Sequence, residues 1–401
     1  MSSTPMGRAL PKGALQIMAK SFFDSLADKK QNPVGYTREN GLLVPERQSE
    51  SERLSVGERP DFMIEDPRPK PNVRTRKPAS RHIQVFDMKS VASARDRVKR
   101  TEAEQKRRLM PEVELAAKNE GKRDIPKLGK LPNVLKNLET NYPNFSDAIS
   151  AIGEEFALAM ASRPSDFRIS PLLLNGVPGI GKTAFAQKLA EKFGLPFLNI
   201  NAGNLQHAAT IVGTDSHWAN SAPGDIFSHF ADNDSATGIV LVDEVDKLNT
   251  SPEYGILPAL LELLEPETSR IFKDVSMDIV LDASHLIILM TSNVRSIVDK
   301  ALLSRARIFE VAQPSNEQRV SIVRRWIQEF AKKNRSRIKP TVDSGDIERM
   351  ADLPMDLRAL HRTLRSSVGR ALLEKSERVE VKWDSLEQQL QERRPIGFTQ
   401  Q

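Results

Sequence analysis

The sequence predicts an α/β fold: a parallel five-stranded sheet flanked by helices, followed by a small α-helical domain and preceded by a largely disordered arm. Three observations carry this. Five short apolar runs, at 171–175, 196–200, 239–243, 286–291 and 308–311, are separated by amphipathic stretches, the alternation expected of a parallel sheet. After Pro314 such runs stop, and 317–332 and 356–374 read as helices. The first third is basic and rich in proline.

That first third sets the domain boundaries. Residues 1–130 carry 28 Lys+Arg against 18 Asp+Glu, whereas the remainder carries 31 against 35. Pro60, Pro67, Pro69, Pro71 and Pro78 are interspersed with Arg59, Arg68, Lys70, Arg74, Arg76, Lys77 and Arg81, a composition that cannot bury a core. Residues 29–91 are therefore expected to be largely disordered. Leu15, Met18, Phe22 and Leu26 fall at helical spacing, and 90–119 reads as a solvated helix or weak coil interrupted at Pro111. The expected organisation is an arm over 1–130 with short helices, an α/β domain over 131–313, and a helical domain with a C-terminal tail over 314–401.

Composition excludes several chemistries. The chain has no cysteine, so disulfides, thiolate metal sites and cysteine nucleophiles are ruled out. Its six histidines lack the short spacings of a metal helix. No apolar run approaches the roughly 20 residues of a membrane span, and the first residues lack a secretory pattern. A soluble, cytoplasmic protein without membrane contact is expected.

The most specific motif follows the first strand. Gly176-Val177-Pro178-Gly179-Ile180-Gly181-Lys182-Thr183 fits G-x-x-x-x-G-K-[ST], with Ala184 continuing into a helix. Backbone N–H groups of such a loop converge on phosphates, and the helix N-terminus favours anions. Lys182 is placed to reach the β- and γ-phosphates of ATP, and Thr183 to ligate Mg²⁺. The strand 239–243 then delivers Asp243, suited to Mg²⁺, and Glu244, suited to orienting and deprotonating water. Asn293, ending the strand expected between the other two, can hold that water between Glu244 and the γ-phosphate.

These elements at these intervals resemble AAA+ ATPases. The text from Asp243 to Phe309 is similar to the Lon branch: DEVDK, PALLELLEPE, FKD, TSN and LLSR match Lon's DEIDK, ALLEVLDPEQ, F-x-DHYLEVDYDLS, TSN and LLDR. The similarity runs from about 140 to about 370. It implies that Arg305 reaches the γ-phosphate of a neighbouring subunit, with Arg307 competing for that role, and that Arg358 acts from the helical lid. An arginine acting in trans implies a ring, a hexamer by resemblance. The resemblance stops before a proteolytic domain, so ATP hydrolysis without peptide-bond chemistry is expected. Trp218 takes the aromatic position of Lon's pore loop, although Ala219-Asn220 replace the Ile-Gly that follows it there.

Two function classes remain open. One is a ring-forming remodeller that grips a protein substrate with Trp218, helped by an adaptor on the arm. The other is a nucleic-acid-dependent ATPase, such as a loader or a defence or mobile-element factor, whose basic arm contacts phosphates. The arm lacks aromatics alternating with its basic cluster, which favours the first.

Overall fold

The computed structural model describes residues 36–39, 42–45, 81–125, 131–216, 218, 220–251, 255–333 and 341–383. The helix expected near Leu15 and most of the proline-rich stretch lie outside the described residues. The chain divides into two units, Met1–Arg74 and Thr75–Gln401. In the first, β1 (Tyr36–Glu39) pairs antiparallel with β2 (Leu42–Pro45). The two are joined by Asn40-Gly41, a dipeptide that favours a two-residue hairpin connection.

The second unit opens with β3 (His82–Gln84), which pairs antiparallel with β4 (Lys122–Asp124). Between them lie the helices Met88–Lys99 and Ala103–Ala117. Each buries one face. Val91, Ala94, Val98, Leu109, Val113 and Ala116 are buried and belong to the same hydrophobic core as the central sheet. Pro111 lies inside its helix rather than ending it. Burial of Leu109 and Val113 on either side outweighs a local cost of about 3 kcal/mol. The apolar positions are sparse because small residues, Ala94 and Ala116, serve as contact points, so the stripe reads as polar in sequence. The folded body accordingly begins by residue 81 and not at 131.

Two buried side chains hold this segment. Phe86 is wholly buried, with its ring edge-to-face on Phe227 and Phe230, at 5.4 and 6.5 Å, in the helix Asp225–Asp232. Arg123 is only 1% exposed and donates to the carbonyls of Leu115, Lys118, Lys122 and Phe230, with its guanidinium 5.0 Å from the Phe86 ring. A buried charge costs free energy unless its donors are met, and here backbone oxygens meet them.

The central sheet is parallel throughout. It comprises β5 (Leu172–Asn175), β6 (Phe197–Asn201), β7 (Ile239–Asp243), β10 (Ile287–Ser292) and β11 (Arg307–Glu310), in the spatial order β11-β5-β10-β7-β6. The five predicted runs are these strands. An antiparallel hairpin of β8 (Phe272–Asp274) and β9 (Ile279–Leu281) is inserted before β10. Beyond the sheet, the helices Asn316–Lys333, Ser344–Asp352 and Leu357–Leu373 enclose a separate core that includes Val323, Met350, Leu360 and Leu364. Arg319 organises it by donating to the carbonyls of Ala351, Leu353 and Met355.

The packing predicts different outcomes for two truncations. A chain beginning at residue 81 should keep the parent urea midpoint, whereas one beginning at 126 should lose cooperative unfolding, because Phe227 and Phe230 would be uncovered. Phe86→Ala alone should cost about 3–5 kcal/mol. Equal urea midpoints for all chains, followed by circular dichroism, would return the segment to the arm.

Candidate functional site

Between β5 and the helix Lys182–Phe193 the chain forms the glycine loop 176–181. Gly181 has φ 100° and ψ 18°, a backbone state that strains any residue with a side chain. Gly179, at φ 81°, is needed for a second reason: a Cβ there would lie 2.7 Å from Cβ of Asp356, the capping residue of the lid helix. Lys182 opens the helix and is only 7% exposed. Its ammonium donates to the carbonyls of Gly176 (2.6 Å) and Val177 (3.1 Å) and to Oδ1 of Asn293 (2.9 Å). Burial pulls the Lys182 pKa below the usual lysine value, while Asp243, Asp246 and Glu244 oppose this and Arg358 adds to it.

The carboxylates come from β7. Asp243 is its last residue, and its Oδ2 accepts the Thr183 hydroxyl at 2.8 Å. Its Oδ1 accepts the hydroxyl of Thr291. Glu244 then turns into the left-handed region at φ 61°, ψ 49°, which sends its side chain away from that of Asp243. Its N–H donates to Thr291 Oγ1 at 2.9 Å, and its Oε2 accepts from Lys247 Nζ at 2.9 Å. One threonine therefore fixes both acids. Asp246 adds a further tie, accepting the N–H of Val294, next to Asn293, at 3.3 Å.

Asp243, Glu244, Thr291 and Asn293 share a cleft of about 700 Å³ with loop residues 178–184. Its far wall belongs to the lid: Ile322, Arg325, Trp326, Leu357, Arg358 and His361. Tyr142 closes one end, donating its hydroxyl to Ala184 O at 3.2 Å and lying 5.1 Å beneath the Arg325 guanidinium. The Thr183 and Asp243 oxygens are hard donors, a set that suits Mg²⁺ held by few protein ligands together with phosphate oxygens. Among the described residues no group of three His, Cys, Asp or Glu could hold a metal ion by itself.

The residues expected to meet phosphate from within the chain are thus brought together, Arg358 included. Arg305 and Arg307 are not among the residues lining the cleft. Arg305 pairs with Glu265 at 2.6 Å and donates to Ala301 O, whereas Arg307 pairs with Glu155 at 3.1 Å and Glu154 at 3.8 Å. Trp218 lies away from the cleft, on the loop between β6 and β7, and is 70% exposed. Sequence reasoning assigned no role to Thr291 or Asp246. A hydroxyl ending the otherwise apolar run LIILMT was the available signal for Thr291.

A parallel sheet carrying a glycine phosphate loop and two acids at its C-terminal edge defines a P-loop nucleotide site. Residues 172–313 match the AAA family, described as the ATPase family associated with various cellular activities. The chain is 29% identical over 197 residues to the Lon protease of Leptospira interrogans serogroup Icterohaemorrhagiae serovar copenhageni, covering 49% of this chain and 23% of that protein. It is 31% identical over 197 residues to the mitochondrial Lon protease homolog of Debaryomyces hansenii, covering 49% and 18%. Lon protease 2 of Herpetosiphon aurantiacus is 31% identical over 193 residues, covering 48% and 23%. The match thus spans about a fifth of the length of these relatives. Among solved structures, the closed-state cryo-EM reconstruction of Hsp104 with ATPγS and FITC-casein superposes with a TM-score of 0.51 at 18% identity, over 61% of this chain and 48% of that one, a likeness of fold. The matched region is a Lon-like AAA+ module.

Thr291 gives the geometry a direct test. Thr291→Val keeps the shape but removes one acceptor and one donor, leaving a buried N–H unmet at a cost of about 1–3 kcal/mol. The urea midpoint should fall accordingly. An unchanged midpoint would show that Thr291 does not fix the two acids.

Proposed function

We propose that this chain binds and hydrolyses ATP with Mg²⁺ and, assembled as a ring of copies, uses the turnover to remodel polypeptides. The observation that carries the reading is the convergence of Lys182, Thr183, Asp243, Glu244 and Asn293 in one cleft, with Arg358 entering from the lid. Lys182 exchanges its loop carbonyls for the β- and γ-phosphate oxygens, stronger acceptors for a partly desolvated ammonium. Backbone N–H groups of 179–183 face the same phosphates at the helix N-terminus. Thr183 and Asp243 would hold Mg²⁺, which would supply positive charge against the negative phosphate oxygens. Glu244 accepts a proton from the attacking water, and Asn293 holds that water in line with the γ-phosphate. Lys247, the ion-pair partner of Glu244, must yield this carboxylate for the step to occur.

Arg305 supports the ring. It lies on the helix Lys300–Arg305, outside the cleft of its own chain, and guanidinium forks are suited to charge developing on a phosphoryl group. A neighbouring copy is therefore its target. Trp218 supplies the contact with polypeptide: a flat, exposed aromatic grips an extended chain without regard to its sequence. The Lon likeness favours protein over nucleic acid as the substrate class.

Lys182→Ala should raise the ATP dissociation constant and abolish turnover, whereas Glu244→Gln should bind ATP and stall, with kcat lower by about 10²–10⁴. Near-parent turnover by Glu244→Gln would remove its assignment. Mixing Arg305→Ala with Glu244→Gln chains should restore hydrolysis above either alone, and absence of rescue in verified mixed rings would refute action in trans. Trp218→Ala should lower the amount of a tagged protein unfolded per ATP hydrolysed, and an unchanged ratio would leave Trp218 a surface residue only.

A further inference from the structure

Asp274 ends β8 as a wholly buried carboxylate outside the nucleotide cleft. Its Oδ2 accepts the N–H of Gly224 at 2.7 Å, and its Oδ1 accepts the N–H of Met277 at 2.7 Å. Gly224 closes the loop that carries Trp218, and Gly213 opens it. The base of that loop is zipped by Thr214 N–H to Ala222 O (3.0 Å) and by Ala222 N–H to Thr214 Oγ1 (2.6 Å). Packing at this base is close: a Cβ on Gly213 would lie 2.9 Å from Asp274 Oδ2, and one on Gly224 would lie 2.3 Å from Ile211 O. A second tie joins the hairpin to the residue before the loop, from Val275 N–H to Val212 O at 2.7 Å.

The N-terminal segment grips both parts. Asp87 N–H donates to Val280 O and Asp282 N–H to Val85 O, at 2.9 and 2.7 Å, so residues 85–87 run beside β9. On the other side, Gln105 donates to Ser216 O (3.4 Å) and Arg108 to Ser221 O (3.1 Å) within the Trp218 loop. The hairpin and the loop thus share one anchor and one brace.

We infer that Asp274 is a positioning residue that locks the β8–β9 hairpin to the Trp218 loop, so that the two present their exposed side chains to polypeptide as one rigid unit. The exposed apolar Val275, beside Asp274, and Trp218 are the side chains concerned. This rests on the reading of Trp218 as the polypeptide contact. Simple packing does not account for a carboxylate here. Burial, with Glu112 adding to it, pushes Asp274 up from 3.8 to about 6, although the N–H groups of Gly224, Met277 and Ser276 pull the other way. Between those two values the folded chain retains a proton that the unfolded chain has released, so this group weakens the fold as pH rises. A neutral asparagine avoids that cost but offers one acceptor oxygen where the Gly224 and Met277 N–H groups each use a separate one.

The test uses the full chain with Asp274→Asn, Trp218→Ala and the double variant. Hydrogen exchange over 213–224 should rise about tenfold in Asp274→Asn while 176–183 is unchanged, and ATP hydrolysis without polypeptide should stay within about twofold. Unfolding of a tagged protein should drop about tenfold in each single variant, and the double should be no worse than Trp218→Ala alone. Unchanged exchange over 213–224, or losses that multiply in the double variant, would overturn the lock. If Trp218→Ala unfolds substrate normally, the Trp218 reading fails, while exchange still decides whether Asp274 holds the loop. Should Asp274→Asn not fold, the parent serves: after correction for intrinsic rates, protection over 213–224 should fall as pH rises through about 6, because the ionised carboxylate regains water when the loop it holds opens. A flat profile there would refute the inference.

Discussion

Thr291 is wholly buried at the end of β10, and its one hydroxyl both donates to Asp243 and accepts from the backbone of Glu244. That arrangement depends on the parallel register, which sets Met290 beside Val242 and Thr291 beside Leu174. A slip of one residue would exchange the faces of every strand side chain and move the Thr291 hydroxyl away from Asp243 and Glu244. The phosphate loop, both acids and Asn293 therefore meet because three buried strands end at one level. Their apolar interiors exclude polar groups everywhere except at that edge.

The lid makes this edge a cleft. Its core is separate from that of the sheet, and across the gap Arg325 reaches Asn141 O and the Tyr142 ring while Asp356 lies against Gly179. Arg358 lines the cleft from the lid side, next to Asp356 and Leu357. The left-handed backbone at Glu244 is held from both sides, its N–H donating to Thr291 Oγ1 and its carbonyl accepting the N–H of Lys247.

On the opposite flank, the segment 81–125 converts loops into parts of a frame. Phe86 and Arg123 anchor it beneath the helix Asp225–Asp232, and the pair of helices then reaches the Trp218 loop from one side and the β8–β9 hairpin from the other. A loop bearing an exposed tryptophan would otherwise lose its orientation to thermal motion. The frame holds its base and leaves the indole exposed.

The sequence by itself determined the five strands, the phosphate loop, Asp243, Glu244, Asn293 and the helical lid, because each is a local pattern whose meaning is fixed by its neighbours in the chain. Buried parallel strands read as continuous apolar runs, and the glycine loop has few alternatives between such a strand and a helix. Only the tertiary structure decided the rest. Alanine contacts hid the burial of one face of the 88–117 helices. The roles of Thr291 and Asp274 rest on partners 48 and 50 residues away in the chain, Asp243 and Gly224, and no local spacing encodes a hydrogen bond between segments that the fold alone brings together.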